Sequence, residues 1–341
     1  MNSHEVPKLL NSFRHVKSCV NILAASIAIL VLADVTRVYA QQQKYPVRPI
    51  RFVVPYPPGG GADIVARIIA EKLSESLGQA VVVDNRPGAS GIVGTNVIAK
   101  APPDGYTIGV ASPGPMSMAA LYPSLSYNPA KELTGVILTY DSPIILVVNA
   151  SLPAATVSEL AALARKRADG MNAAVSSVGS IQHLLVEMFK DAAKLKIQSV
   201  PYKGGVPAIM DLMGGQVDFT FSVLPIVVPY INSGEIRALA VASERRTPLM
   251  PALPTMGEAG LPEVTATNWN GICVPAGTPK EIIATLNELI GKILSSPQVG
   301  RRFATLGITA LGGTADEFNA FLRHDTEQWS AIVKRLDVKV Q

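Results

Sequence analysis

Short runs of β-branched and aliphatic residues alternate along this chain with longer stretches in which apolar residues recur every three or four positions. The first kind of run suits a buried strand and the second a helix that packs one face on a sheet. Ile50 to Val54 reads as a strand, and Ile64, Val65, Ile68, Ile69, Leu73 and Leu77 then form one helical stripe that Gly78 terminates. Ala80 to Val83 is a second strand, Ile92 to Ala99 a helix and Tyr106 to Ala111 a third strand. A similar set begins near Pro143: strand Ile144 to Val148, helix Val157 to Ala168, strand Ala173 to Ser176, and a helix with Ile181, Leu184, Leu185 and Met188 on one face. Strands Ile197 to Val200, Val217 to Phe221 and Ile236 to Val241 follow, then a connection over 243–263 rich in Pro, Thr and Glu. Asn268 to Val274 reads as a strand and 280–294 and 315–336 as helices that pack back on a lobe. This alternation predicts an α/β protein with mainly parallel sheets.

The first 40 residues break the pattern. Lys8, Arg14 and Lys17 precede an apolar stretch from about Cys19 to Ala33, and Val38-Tyr39-Ala40 offers small residues where a signal peptidase reads. The apolar stretch is shorter than the roughly 20 residues of a spanning helix and contains Asn21 and Ser26, so a cleaved leader over 1–40 is expected. Loss of Lys8, Arg14, Lys17 and Arg37 with Glu5 and Asp34 takes the net charge from +4 to +2. Lys and Arg form no stripe, which argues against a nucleic-acid partner. Cys19 leaves with the leader, so Cys273 stands alone and no intramolecular disulfide is expected. The remainder is too long for one ordinary core and 48% of the chain is hydrophobic, enough to bury two. Lobe 1 is expected over 41–143 and 264–341, and lobe 2 over 144–263.

Between the first strand and its helix lies Pro55-Tyr56-Pro57-Pro58-Gly59-Gly60-Gly61-Ala62-Asp63. Three consecutive glycines let a ligand approach the main chain, and the free N–H groups at a helix start favour a carboxylate or phosphate. The second half has a comparable turn at Ser177-Val178-Gly179-Ser180, ahead of His183. Ligands of open α/β sheets sit beyond the carboxyl ends of strands, so both turns are candidate binding loops. Candidate contacts are Tyr56, Pro58, Gly59, Gly60, Gly61, Ala62, Asp63 and Ser112 on one side. On the other they are Ser177, Gly179, Ser180, His183, Tyr202, Lys203, Gly204 and Ser222. Several have a second reading. Asp63 suits helix capping as well as a cleft-facing carboxylate. His183 suits an i,i+4 pair with Glu187, Lys203 a solvated cation, and the serines local backbone caps. Tyr202 and Trp269 read either as cleft walls or as core.

Arg51-Phe52-Val53-Val54-Pro55-Tyr56-Pro57-Pro58-Gly59-Gly60-Gly61-Ala62-Asp63, Asn85-Arg86-Pro87-Gly88-Ala89 and Pro103-Asp104-Gly105-Tyr106-Thr107 resemble the Bug family of TctC-like receptors of tripartite tricarboxylate transporters. So do Gly179-Ser180 with His183-Leu184, Val200-Pro201-Tyr202-Lys203-Gly204, Pro207-Ala208, Gly214-Gly215-Gln216-Val217-Asp218 and Pro275-Ala276-Gly277-Thr278-Pro279, in order. The resemblance implies a periplasmic binding protein type II fold: two α/β lobes joined by two crossovers, with an interlobe cleft. It implies capture of a small organic carboxylate through backbone amides and ordered water, and delivery to membrane permease subunits. No cofactor and no metal are expected, and a monomer is. Tyr56 and Pro58 stand where Phe and Ala are frequent in the family, and Gly61 is an additional glycine, departures that bear on the ligand's identity.

Enzyme signatures are missing from the same segments. The glycine loop lacks the Gly-Lys-Ser/Thr ending of a nucleotide-binding P-loop, and the serine turns lack the nucleophile elbow. Beyond the leader, His183, His324 and Cys273 make no recognisable metal cluster. The rival readings are a ligand sensor for a membrane signalling protein and a secreted hydrolase of an anionic substrate.

Overall fold

A computed structural model describes residues 45–117, 121–122 and 125–338. The expected leader lies outside the described residues. Arg48 to Gln341 forms one compact unit built from two mixed sheets. The first sheet contains β1 (Ile50–Val54), β2 (Val81–Asn85), β3 (Thr107–Ala111), β4 (Leu133–Ser142), β10 (Asn268–Pro275) and the short β11 (Thr309–Ala310). Their order is β11-β4-β10-β3-β1-β2. The second contains β5 (Ile144–Asn149), β6 (Met171–Val175), β7 (Ile197–Pro201), β8 (Phe219–Val223) and β9 (Ile236–Val241), in the order β7-β6-β8-β5-β9.

The two sheets repeat one scheme. In each, three neighbouring strands pair in parallel, β2-β1-β3 and β7-β6-β8. A strand arriving from the opposite lobe, β10 or β5, then inserts antiparallel beside β3 or β8. The expectation of mainly parallel sheets therefore holds for one side of each sheet only. Crossing between lobes reverses the direction of the chain, and the inserted strand must run the other way. Pro143 alone separates β4 from β5, whereas residues 242–267 separate β9 from β10. The two crossovers lie side by side, with Asn268 opposite Ser142 and Trp269 opposite Asp141.

Helices cover both sheets. Those used below are α1 (Gly61–Leu77), α2 (Ile92–Ala99), α3 (Val157–Lys166), α4 (Ile181–Ala192), α5 (Gly205–Met213), α6 (Leu224–Asn232), α7 (Lys280–Leu294), α8 (Pro297–Thr305) and α9 (Ala315–Leu336). The stripe of α1 buries Val65, Ile68, Ile69 and Leu73, and Gly78 ends the helix at φ +64°. Close packing near the first loop needs Gly94 of α2, because a Cβ there would stand 2.6 Å from the Pro55 Cα. Helix α9 starts on a capping box of Thr314 and Glu317. It does not settle on one lobe: Phe318 and Leu322 pack with Trp269 in the first core, and Trp329 and Val333 join the second. Trp269 is buried against Phe318 and Phe321, so it belongs to the core.

Candidate functional site

The first candidate loop connects β1 to α1 and has no side-chain cap: Gly60 occupies the N-cap position with φ −75° and ψ 164°. Gly59, at φ +81°, turns its amide back to donate to Asp63 Oδ2 at 2.9 Å. Asp63 is 3% exposed. Arg67 Nε donates to Oδ2 at 3.0 Å and Asn85 Nδ2 to Oδ1 at 2.8 Å, and the Arg67 guanidinium also lies 3.0 Å from Oδ1. Burial by itself would raise this carboxyl. The hydrogen bonds from Arg67, Gly59 and Asn85 outweigh it and hold the group below its ordinary value. Both Asp63 oxygens are thus engaged by the loop, α1 and β2, the capping role that was one of its two readings.

What the loop leaves open is its backbone. Among the described residues, the amides of Gly60, Gly61, Ala62 and Asp63 have no hydrogen-bond acceptor, while the Ile64 amide returns to Gly60 O at 3.0 Å. Pro58, Gly59, Gly60 and Gly61 are exposed and Ala62 half-buried. Unpaired N–H groups at the positive end of a 17-residue helix suit a negatively charged group. Next to it the Tyr56 hydroxyl lies 2.5 Å from Ser112 Oγ, at the carboxyl end of β3. Burial raises the Tyr56 phenol, against the effect of Ser112, so it stays a neutral hydroxyl. Gly91 lies against Pro115 and that hydroxyl.

The second loop connects β6 to α4 and is more self-contained. Ser180 Oγ accepts from the His183 amide at 3.2 Å and donates to Ser177 O at 2.8 Å, capping the helix. The buried Gly179 amide donates to His183 Nδ1 at 3.0 Å. His183 Nε2 stands 3.7 Å from Glu187 Oε1, the expected i,i+4 neighbour. Burial lowers the imidazole's affinity for a proton, partly offset by Glu187, and Lys190 lowers it further. A neutral ring accepting at Nδ1 follows. Among the described residues the Ile181 and Gln182 amides have no acceptor.

The flanking residues are placed differently. Tyr202 donates its hydroxyl to Asp211 Oδ2 at 2.8 Å on α5, and burial together with that carboxylate pushes the phenol up to about 12. Its ring packs into the second core, which makes it a structural residue. The Gly204 amide binds Ser176 O at 2.9 Å, tying the β7–α5 turn to the serine loop. Lys203 is exposed and Ser222 buried, and neither side chain has a polar partner among the described residues. Helix α6 opens directly after the strand carrying Ser222.

The second loop meets the first lobe at Ser90. Ser90 Oγ, from the first lobe, lies 2.5 Å from Ser177 Oγ and 3.4 Å from Val178 O. A recess of about 690 Å³ lined by Ile231, Ile236, Arg237, Leu249, Met250 and Leu253 lies elsewhere and shares no residue with either loop. No amide that lacks an acceptor in either loop lines it, and the loops remain the candidate site. Sequence reasoning passed over Arg67, Asn85, Ser90 and Gln182, whose Oε1 accepts from Ser176 Oγ at 2.9 Å. The spacing of Arg67 from Asp63 was a readable i,i+4 signal. Asn85 and Ser90 take their roles from tertiary neighbours.

A family described as tripartite tricarboxylate transporter family receptor matches residues 65–338. The chain is 38% identical over 322 residues to protein BugT of Bordetella pertussis, covering 94% of this chain and 96% of that one. Its fold is similar to that of Rpa4515 of R. palustris, solved with adipate. The TM-score is 0.81 and the identity 36%, over 87% of this chain and 99% of that one. It is also similar to MatC of Rhodopseudomonas palustris with bound malate, with a TM-score of 0.78 and 31% identity, over 85% and 100% of the two chains.

Proposed function

We propose, for a chain that belongs to the tripartite tricarboxylate transporter receptor family, that it captures a small organic carboxylate between its lobes and hands it unchanged to a membrane permease. The observation that carries this reading is the row of open amides from Gly60 to Asp63 at the start of α1, with a second pair of open amides at the start of α4 in the other lobe. A carboxylate satisfies several such donors at once, and the helix dipole adds a favourable term of about 0.3–1 kcal/mol. Arg67 removes the objection that Asp63 would repel an anion, because the acid is buried and ion-paired.

Adipate and malate in two similar proteins are both dicarboxylates, and they support the same ligand class here. Tyr56 and Ser112 then meet the ligand from the first lobe. Ser222 and Lys203 are its second-lobe candidates, since both groups are uncommitted. Lobe 1 comprises 41–143 with 264–341 and lobe 2 144–263, and closure about the paired crossovers buries the ligand. Export by the leader places the mature receptor in the periplasm, where it acts as a monomer and carries out no chemistry.

Titration calorimetry against di- and tricarboxylates, aromatic acids and amino acids tests this. At least one carboxylate is expected to bind at micromolar Kd or better, about −8 kcal/mol. Failure of every carboxylate to bind, or turnover of one, would overturn the reading.

A further inference from the structure

The segment Gly88-Ala89-Ser90-Gly91 runs through backbone conformations that non-glycine residues rarely adopt. Its four residues all have positive φ: 143°, 44°, 53° and 96°. Glycines adopt such values readily, but Ala89 and Ser90 do not. Two adjacent strained residues persist only where their surroundings hold them there. What this conformation achieves is visible at its tip. It carries the Ser90 hydroxyl across to the second lobe, 2.5 Å from Ser177 Oγ and 3.4 Å from Val178 O. Two residues on, Ile92 packs against a core cluster that joins second-lobe residues to Trp329 and Val333 of α9. At its base, the segment is pinned to the first lobe by Gly94 against Pro55 and by Gly91 against Pro115 and Tyr56.

We infer that Gly88–Ile92 is a closure strap, with Ser90 as the first lobe's latch on the Ser177 loop. This rests on the clamshell reading given above and assigns a role within it to a residue outside the amide rows. The chemistry is local. Among the described residues the Ser177 hydroxyl has Ser90 Oγ as its hydrogen-bond partner, while the Ser177 carbonyl accepts from Ser180. The Ser177 hydroxyl, expected from sequence to contact the ligand, is therefore occupied by the opposite lobe when the two loops meet. Opening the lobes breaks this bond, so the strap favours the closed arrangement alone. A contact made in one of two states shifts their populations by its own free energy.

Paired cysteines at the two positions test the contact directly. Ser90→Cys with Ser177→Cys is oxidised mildly beside a control pair, Ser90→Cys with Ser233→Cys, and beside the unmodified chain. Peptide mapping locates any bond. The 90–177 disulfide is expected to form about tenfold faster than the control. A folded protein, by far-UV circular dichroism, that forms no 90–177 bond would overturn the inference. Should the cysteine variants fail to fold, Ser90→Ala provides the second readout: hydrogen exchange at 177–180 is expected to rise about threefold or more, and unchanged exchange would equally overturn it. Adipate and malate titrations separate this from the ligand reading. If the cross-link forms while no carboxylate binds the unmodified protein, the strap stands and the carboxylate assignment falls. If a carboxylate binds and neither cysteine pairing nor exchange responds, the strap falls alone.

Discussion

At the start of α1 a glycine occupies the cap and a row of amides stands open, whereas at the start of α4 a serine hydroxyl and a histidine ring have claimed the amides of His183 and Gly179. Both loops leave the carboxyl end of a central parallel strand and enter a helix. They differ in where the stabilising polar groups come from. The first loop is braced from beneath by Asp63, Arg67 and Asn85, which leaves its outer surface free. The second is braced from within, by Ser180 and His183, and has less backbone to offer. On the proposed reading the first loop is the main anion receptor, and the second supplies closure and a smaller number of donors.

The comparison breaks most sharply at Gly60. Its backbone is extended, and an added Cβ would meet only Pro57 O at 3.6 Å, so a side chain there fits the fold while covering the open amides. Gly60→Val is expected to weaken carboxylate binding on the order of 100-fold, about 2.7 kcal/mol by calorimetry, with Tm nearly unchanged. Gly94→Val, which meets Pro55 backbone, should instead lower Tm severely. Equal binding by Gly60→Val and the unmodified protein would make the first loop merely structural.

Asp63 carries the next largest effect. Asp63→Asn removes the ion pair with Arg67 and the charge-assisted bond from Gly59, at a cost of about 1–3 kcal/mol in denaturant unfolding. Its carboxyl is held below the ordinary 3.8, so its stabilisation is complete above that pH and disappears as pH falls through the folded-state value. The variant should show a flatter acid limb, and an unchanged one would dissociate Asp63 from loop stability.

The smallest effect is expected at His183. His183→Phe keeps the volume and loses the acceptor for Gly179, costing about 1 kcal/mol with binding altered less than about threefold. The folded state lowers this imidazole below the ordinary 6.5, so acidification through that value favours the unfolded chain. Stability of the unmodified protein should fall from pH 7 toward pH 5, and the variant should lose that component of the slope. A binding loss as large as that of Gly60→Val would reverse the ranking of the two loops.

Much of this was written in the sequence where a local rule applies. The stripe of α1, the Gly78 stop and the cap by Ser180 follow from spacing and residue type, as does the His183–Glu187 pair. The antiparallel insertion of β5 and β10 was not legible, because pairing direction depends on which lobe the chain has just left. Strand β4 was not legible near Gly135, a glycine whose place is set by the Phe318 ring of α9 packed against it and by Asn319, 184 residues along the chain, which accepts from its amide. Helix α8 shows only Val299 and Phe303 as buried apolar positions, too few for a periodic signal. Ser90 gives no local hint, since its conformation is imposed by the two lobes it joins.

The central claim is that main-chain nitrogens of the first loop hold the acid. A crystal structure with the tightest-binding carboxylate of the titration panel tests it most directly. The account predicts a carboxylate oxygen within about 3.2 Å of at least two amides among Gly60, Gly61, Ala62 and Asp63, with the second lobe closed over it. A carboxylate held by Lys203 or other side chains, or seated in the recess beside β9, with those amides still facing water, would contradict it.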